Sequence, residues 1–102
     1  MTSVANIRTF RGDHRDAVLI DRTTMWGNPF RIGERTREQV IVDHRLWWYH
    51  PSQTGLRWAA RHHLPDKTLL CHCKPATCHG DTIADYLNLV VPFYASLATE
   101  AA

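Results

Sequence analysis

Hydrophobic positions along the chain first form three short runs that predict β-strands. Residues 4–10 alternate in part, residues 17–20 form a continuous apolar run, and residues 68–70 form another that begins with a β-branched threonine. Continuous apolar runs suit strands that are covered on both faces, as in the parallel sheets of α/β proteins. The pattern therefore predicts a short, mainly parallel sheet.

Between and after these runs, apolar residues recur at helical spacing. The sequence predicts helices over residues 36–49 and 54–63, and a third helix that opens near residues 77–80 and ends at Pro92. Strands separated by helices predict one α/β domain over residues 1–102. Its core is expected to cover about residues 4–91, and residues 95–102 are expected to form a frayed tail.

Two polar loops follow the second and third predicted strands. We name residues 21–30 the first loop and residues 71–81 the second loop. Because open α/β sheets bind ligands at the edge where their strands end, we expect the two loops to lie side by side and to form one site.

Composition and charge narrow the classes of partner. The 102 residues are 44% hydrophobic and 22% charged, and a net charge of +2 does not support nucleic-acid binding. Ten of the twelve basic residues are arginines, which pair well with phosphate, although surface salt bridges explain this bias equally well. No segment resembles a signal peptide or a membrane span, and three clustered cysteines do not form a disulfide framework. We therefore expect a cytoplasmic protein.

All three cysteines lie in the second loop, as Cys71, Cys73 and Cys78, with His72 and His79 between and after them. Cysteine and histidine bind zinc, but Cys-x-Cys at a strand end is not the usual spacing, and alternate strand residues face opposite ways. A zinc-stapled small domain is therefore an alternative only, and the sequence predicts no metal ligand and no cofactor. Cys71 is interpreted as a small buried hydrophobic residue, whereas helix amides would stabilise a thiolate at Cys73 or Cys78.

The other polar side chains of the second loop are Lys74, His79 and Asp81. The amides at a helix N-terminus have no partners inside the helix and attract anions, so Lys74, Cys73 and Cys78 are predicted to bind a ligand there. His79 and Asp81 are predicted acid–base groups, with helix capping an equal alternative for Asp81. The spacing from Cys73 to His79 is similar to that of cysteine phosphatases, but His79 replaces their phosphate-binding arginine, which disfavours that activity.

In the first loop, a Gly-Asn-Pro turn presents aromatic and polar side chains. Trp26 could stack on a base while Asn28 reads its edge, or the aromatic residues could simply hold the loop on the core. Arg22 lies just after the strand and is predicted to hold negative charge, with Asp21 and either Thr23 or Thr24 as polar partners.

The predicted helix over residues 36–49 carries three consecutive aromatic residues, Trp47, Trp48 and Tyr49. Adjacent residues on a helix point about 100° apart, so one of the three is expected to be exposed. This face leaves room for an oligomer contact or for a host protein partner.

Two motifs together resemble the DUF4326 family, whose small proteins, mostly from bacteriophages and bacteria, have no established activity. The motifs are Arg22-x-x-x-Trp-Gly-Asn-Pro-Phe30 and Leu70-Cys-His-Cys-x-Pro-x-x-Cys-His-Gly-Asp81. The resemblance also includes four residues of the first predicted helix, namely Arg37, Val40, Arg45 and Trp47. The resemblance implies a small Rossmann-like, three-layer fold and a role near nucleotides or nucleic-acid metabolism. A family site would map here to a set of five residues, namely Arg22, Asn28, Cys78, His79 and Asp81.

These observations predict a protein that binds a nucleotide or another phosphorylated ligand between the two loops. If it is an enzyme, we expect transfer or hydrolysis at a glycosidic or phosphate bond, with His79 or Asp81 as acid or base and Arg22 holding charge. The alternatives are a non-catalytic protein that binds a host factor through the 47–49 face and the zinc-stapled domain.

Overall fold

A three-stranded parallel sheet forms the centre of the computed structural model, which describes residues 1–101, with side chains through Leu97. The strands are β1 (Ser3–Asn6), β2 (Ala17–Leu19) and β3 (Thr68–Cys71). Their order is β1-β3-β2, and β3 pairs in parallel with both neighbours. The predicted α/β class and parallel sheet are therefore confirmed.

The apolar run of β3 explains its central position. Leu69, Leu70 and Cys71 are all buried, although successive side chains of a strand point to opposite faces. A strand that is apolar on both faces needs cover on both faces, as the helices of α/β proteins provide for parallel sheets.

Helices connect and follow the strands, at positions close to those that the periodicity predicts. They are α1 (Arg37–Trp48), α2 (Thr54–His63), α3 (His79–Asp85) and α4 (Val91–Ala101), with short 3₁₀ segments at His14–Asp16 and Pro51–Gln53. A capping box fixes the start of α1, because the Gln39 amide N–H donates to Thr36 Oγ1 (3.1 Å) and the Thr36 N–H donates to Gln39 Oε1 (2.8 Å). Within residues 1–101, no helix combines the length and apolar character needed to cross a bilayer.

The chain stays helical through Pro92, where the sequence predicts a helix end. A π-helical segment, Tyr86–Val90, joins α3 to α4, and the Val91 N–H donates to the Tyr86 carbonyl five residues earlier. Pro92 is the second residue of α4 and directly follows the register change of the π-helical segment. Residues 95–101 of the predicted tail are consequently helical, and Ala102 lies outside the described residues.

The hydrophobic core lies between the sheet and the helices. Its largest fully buried side chains include Trp48, Ile20 and Leu69. Gly80 allows α3 to approach the sheet closely, because a Cβ atom there would lie 2.7 Å from Ile20 Cδ1 and 3.1 Å from Val4 Cγ1. This contact places the start of α3 beside the edge where β2 and β3 end.

Candidate functional site

A cavity of about 210 Å³ lies at the carboxyl ends of β2 and β3. Both loops line it, together with the segment that leads into α1 and the first turns of that helix. The two loops therefore lie side by side in the structure, as the order of the strands predicts. Its lining includes four apolar side chains, which we call the apolar side, and two arginines, which we call the charged side.

The apolar side of the cavity consists of four side chains, namely Phe30, Ile32, Val40 and Ile41. The Phe30 ring also packs edge-on against Trp47, with 6.4 Å between the ring centroids. This side could accept a flat or aliphatic group of a ligand.

Two arginines, Arg22 and Arg37, line the charged side. Arg22 donates through Nη2 to the Phe30 carbonyl (2.9 Å), which holds the exposed side chain across the first loop. Arg37 is half-buried, and its guanidinium makes no hydrogen bond or ion pair with any residue in the part of the chain that the structure describes. A half-buried cation without a partner favours an anionic ligand.

Asp21 and His72 form a second polar group of the cavity, at its mouth. His72 Nε2 lies 3.3 Å from Asp21 Oδ2. The Thr23 hydroxyl and the Thr23 N–H both donate to Asp21 Oδ1 and, with the His72 contact, lower the pKa of that carboxyl group below its usual value. Asp21 therefore stays ionised and can orient the His72 ring.

The first loop keeps its shape through a close approach of its own backbone. A Cβ atom on Gly27 would lie 2.5 Å from the Asp21 carbonyl oxygen and 2.7 Å from Arg22 Cα, so only glycine fits there. Asn28 is buried and its Oδ1 accepts the Phe30 N–H (2.9 Å), which closes the turn. The Gly-Asn-Pro motif thus positions Arg22 and Phe30 at the cavity.

His79 joins the first loop to the start of α3. Its Nε2 lies 2.8 Å from the Ile20 carbonyl oxygen and 3.2 Å from the Trp26 carbonyl oxygen, so this nitrogen must carry the proton and donate to both. Nδ1 lies 3.7 Å from Cys78 Sγ. Burial lowers the pKa of His79, and the neutral ring, which also lines the cavity, fixes the loop in place.

Asp81 and Lys74 pair with each other outside the cavity lining. Lys74 Nζ lies 2.6 Å from Asp81 Oδ1, and Asp81 Oδ2 accepts the Cys78 N–H (3.3 Å). Cys78 is the N-cap of α3, and its sulfur accepts the Gly80 N–H (3.4 Å). Asp81 thus has the capping role, which is the predicted alternative to acid–base chemistry.

The structure brings only part of the predicted site together. Trp26 is buried in the core, and the Thr24 hydroxyl donates to the Leu19 carbonyl (2.9 Å). The predicted residues that line the cavity are Asp21, Arg22, Asn28, Cys73 and His79. Those that do not line it are Thr24, Trp26, Lys74, Cys78 and Asp81.

Three further residues that are not among the predicted site residues also line the cavity, namely Arg37, His72 and Cys71. Cys71 is only 2% exposed. A hydrogen bond from the Cys78 thiol lowers the pKa of Cys71 to about 6 against the effect of burial, with further help from the backbone N–H groups of Lys74 and Cys73. The only sequence signal for this environment is a cysteine at a strand end followed by a turn, which is weak.

Behind the cavity, His44 of α1 is completely buried. Its ring lies 5.1 Å from that of His79 and stacks on Trp48 at 6.0 Å. Among the described residues, neither ring nitrogen of His44 has a hydrogen-bond partner. Burial, then the neighbouring His79 and Arg45, lower the pKa of His44 from 6.5 to about 3, so the ring is neutral.

The two alternatives to ligand binding involve other features. Across residues 1–101, no three or more His, Cys, Asp or Glu side chains are grouped so that they could hold a metal ion. On the aromatic face, Trp48 is fully buried, Trp47 is half-buried and Tyr49 is exposed. The expectation that one of these three side chains is exposed is therefore confirmed.

Comparison with known proteins gives one match. The sequence model described as a domain of unknown function, DUF4326, matches residues 5–89. No curated protein and no solved structure matches the chain.

Proposed function

The chain belongs to the DUF4326 family, which is defined without a function, and we propose that its cavity binds a nucleotide or another small phosphorylated ligand. The observation that carries this proposal is the unpartnered guanidinium of Arg37, half-buried in a cavity that Arg22 also lines. Guanidinium groups bind phosphate through paired, charge-assisted hydrogen bonds.

The mixed lining of the cavity, with both arginines and apolar side chains, supports a ligand with two chemically different parts. A phosphate would contact Arg22 and Arg37, while a base or sugar would pack on the apolar side that includes Phe30 and Ile41. Asp21 and His72 stand at the mouth, where ribose hydroxyls could donate to the carboxylate.

The size of the cavity limits the ligand. Its volume of about 210 Å³ is below the ~300–1,000 Å³ of pockets for drug-sized ligands. We therefore expect a mononucleotide or a phosphosugar, with part of a mononucleotide remaining at the open mouth. Catalysis at a glycosidic or phosphate bond stays a prediction, because His79 and Asp81 are engaged in contacts within the protein.

Calorimetric titration with AMP, ribose 5-phosphate, adenosine and inorganic phosphate tests the proposal. AMP or ribose 5-phosphate should bind, adenosine should bind at least tenfold more weakly than AMP, and inorganic phosphate should compete. A phosphate ligand at 100 times its Kd should stabilise the folded state by about 2.7 kcal/mol, which thermal denaturation can confirm.

Arg37→Gln is the decisive variant, and Arg45→Gln, an exposed position on the same helix outside the cavity, is its matched control. Loss of a charge-assisted contact worth about 1.5–3 kcal/mol should weaken binding by roughly 10- to 100-fold in Arg37→Gln only. Equal affinities of the two variants, or no binding of any phosphorylated probe by the native chain, would reject the proposal.

A further inference from the structure

His72 and Asp21 form a pair that joins the two loops at the cavity. His72 Nε2 lies 3.3 Å from Asp21 Oδ2, and both residues line the cavity. The other carboxylate oxygen, Asp21 Oδ1, accepts the Thr23 N–H (2.9 Å), which holds the carboxylate in place. The pair therefore has a defined geometry on the wall of the proposed binding site.

The second ring nitrogen of His72 is free to act on a ligand. Nδ1 has no hydrogen-bond partner among the residues that the structure describes, and the side chain is 51% exposed. The two other histidines near the cavity differ, because His44 is completely buried and His79 donates to two carbonyl oxygens. His72 is therefore the histidine that can give a proton to a bound ligand and regain it from water.

Asp21 supplies the support that an acid–base histidine needs. Hydrogen bonds from Thr23, and then the contact with His72, lower the pKa of the Asp21 carboxyl group, so this group is ionised. Because an ionised carboxylate can only accept, His72 Nε2 carries the proton of their hydrogen bond. The carboxylate thereby fixes the orientation of the ring and stabilises the imidazolium form.

The pair lies beside the group that is proposed to bind phosphate. Asp21 and Arg22 are consecutive residues that both line the cavity, and Arg37 lines it too. With a phosphate on the two arginines and a sugar towards the mouth, the oxygen that joins them would lie between the arginines and His72. This oxygen needs a proton when a phosphate ester is cleaved, because an alkoxide is a poor leaving group.

We propose that the chain hydrolyses phosphate monoesters of sugars or nucleosides, with His72 as the general acid and Asp21 as its positioning residue. Water attacks phosphorus, the bond from phosphorus to the sugar oxygen breaks, and that oxygen takes the proton from Nδ1 of the His72 imidazolium. The attacking water loses one proton to solvent and His72 regains one from solvent, so the products are an alcohol and inorganic phosphate. Arg22 and Arg37 hold the phosphoryl oxygens throughout. This proposal rests on the proposed function and names the reaction of the same site.

Binding and turnover are measured separately. Release of inorganic phosphate from AMP and ribose 5-phosphate reports turnover, and calorimetry with the 5′-methylenephosphonate analogue of AMP, whose C–P bond is not hydrolysed, reports binding. His72→Asn should lower kcat on AMP by at least about 100-fold and leave the Kd of the analogue close to the native value. His63→Asn, at an exposed position of α2, is the matched control and should keep the native kcat and Kd.

A change of leaving group separates proton donation from a structural role. The phenolate of p-nitrophenyl phosphate leaves without a proton, so His72→Asn should lose much less of its kcat on this substrate than on AMP. Asp21→Asn should show the same dependence on the leaving group, because Asp21 acts through His72. An equal loss on both substrates would mean that the pair only holds the two loops together, and would overturn the proposal.

The outcomes also distinguish this proposal from the proposed function. Binding of the analogue by the native chain without phosphate release, or equal release by the native chain and His72→Asn, would overturn the reaction and leave the proposed function standing. No binding of the analogue would overturn both. If His72→Asn does not fold, Asp21→Asn provides the comparison of the two substrates.

Discussion

His44 should make the folded state sensitive to acid. Its buried ring has a pKa of about 3, whereas a histidine in the unfolded chain has a pKa near 6.5. Between these values the unfolded chain binds a proton that the folded chain does not bind. As far as His44 determines it, the free energy of unfolding is therefore highest above pH 6.5 and decreases as the pH drops towards 3.

The size of this effect follows from the difference between 6.5 and about 3. At about 1.4 kcal/mol for each pKa unit, protonation of His44 costs the folded state about 5 kcal/mol by pH 3. Domains of this size are stable by only about 5–15 kcal/mol, so His44 alone removes a large part of that stability. His79 acts in the same direction, because burial lowers its pKa as well.

Urea unfolding at half-unit steps from pH 7.5 to 4.5, followed by tryptophan fluorescence, measures the effect. Below pH 6 the native chain should lose about 1.4 kcal/mol per pH unit through His44, and His44→Phe should lose that much less. His63→Phe, at an exposed position of α2, is the matched control and should keep the native slope. His44→Leu repeats the test with a smaller side chain in case phenylalanine overpacks the site.

A His44→Phe or His44→Leu variant with the same pH slope as the native chain would refute this reasoning. The stability at pH 7.5 is a second check. Because neither His44 nitrogen has a hydrogen-bond partner among the described residues, an apolar replacement should cost little there. A loss above about 3 kcal/mol would mean that the imidazole makes a favourable polar interaction.

Three further changes test the site and its support. Gly27→Ala would place a Cβ atom 2.5 Å from a backbone oxygen, so we expect a loss of about 1–3 kcal/mol in urea unfolding and weaker AMP binding. Gly80→Ala meets side-chain atoms of Ile20 and Val4 rather than backbone, so the same measurement should show a smaller loss than Gly27→Ala. Asp81→Asn breaks a partly exposed ion pair with Lys74, and unfolding in low and high salt should show a loss of at most about 1 kcal/mol that shrinks as salt rises.

Periodicity predicted most of the fold because the elements bury continuous apolar faces. The helix predicted over residues 54–63 has the same bounds in the structure, and the central strand lies within one residue of its prediction. The first strand is shorter than predicted, because Asn6 stops it: its carbonyl accepts the Phe10 N–H (3.0 Å), and its side chain donates to the Lys74 carbonyl (2.7 Å). The π-helical segment before Pro92 changes backbone hydrogen bonds without changing hydropathy, so it leaves no pattern to find.

The place of the candidate site could be predicted, but several of its side chains could not. Strand order alone puts the two loops at one edge of the sheet. It does not show that Arg37, which is 15 positions beyond Arg22 in the sequence, faces the same cavity. It also does not show that both Nε2 contacts of His79 are with backbone carbonyls, because Ile20 and Trp26 lie more than 50 positions away in the sequence.

The pairing of β3 with both other strands determines when this protein can fold. Ser3 pairs with Thr68, 65 positions later, and Ala17 pairs with the same residue from 51 positions away, while β1 and β2 are not neighbours. During synthesis, α1 and α2 can form early, but no strand has a partner until the last third of the chain has emerged. The sheet and the cavity can therefore form only after β3 has emerged, so a nascent or truncated chain that ends before residue 68 contains neither.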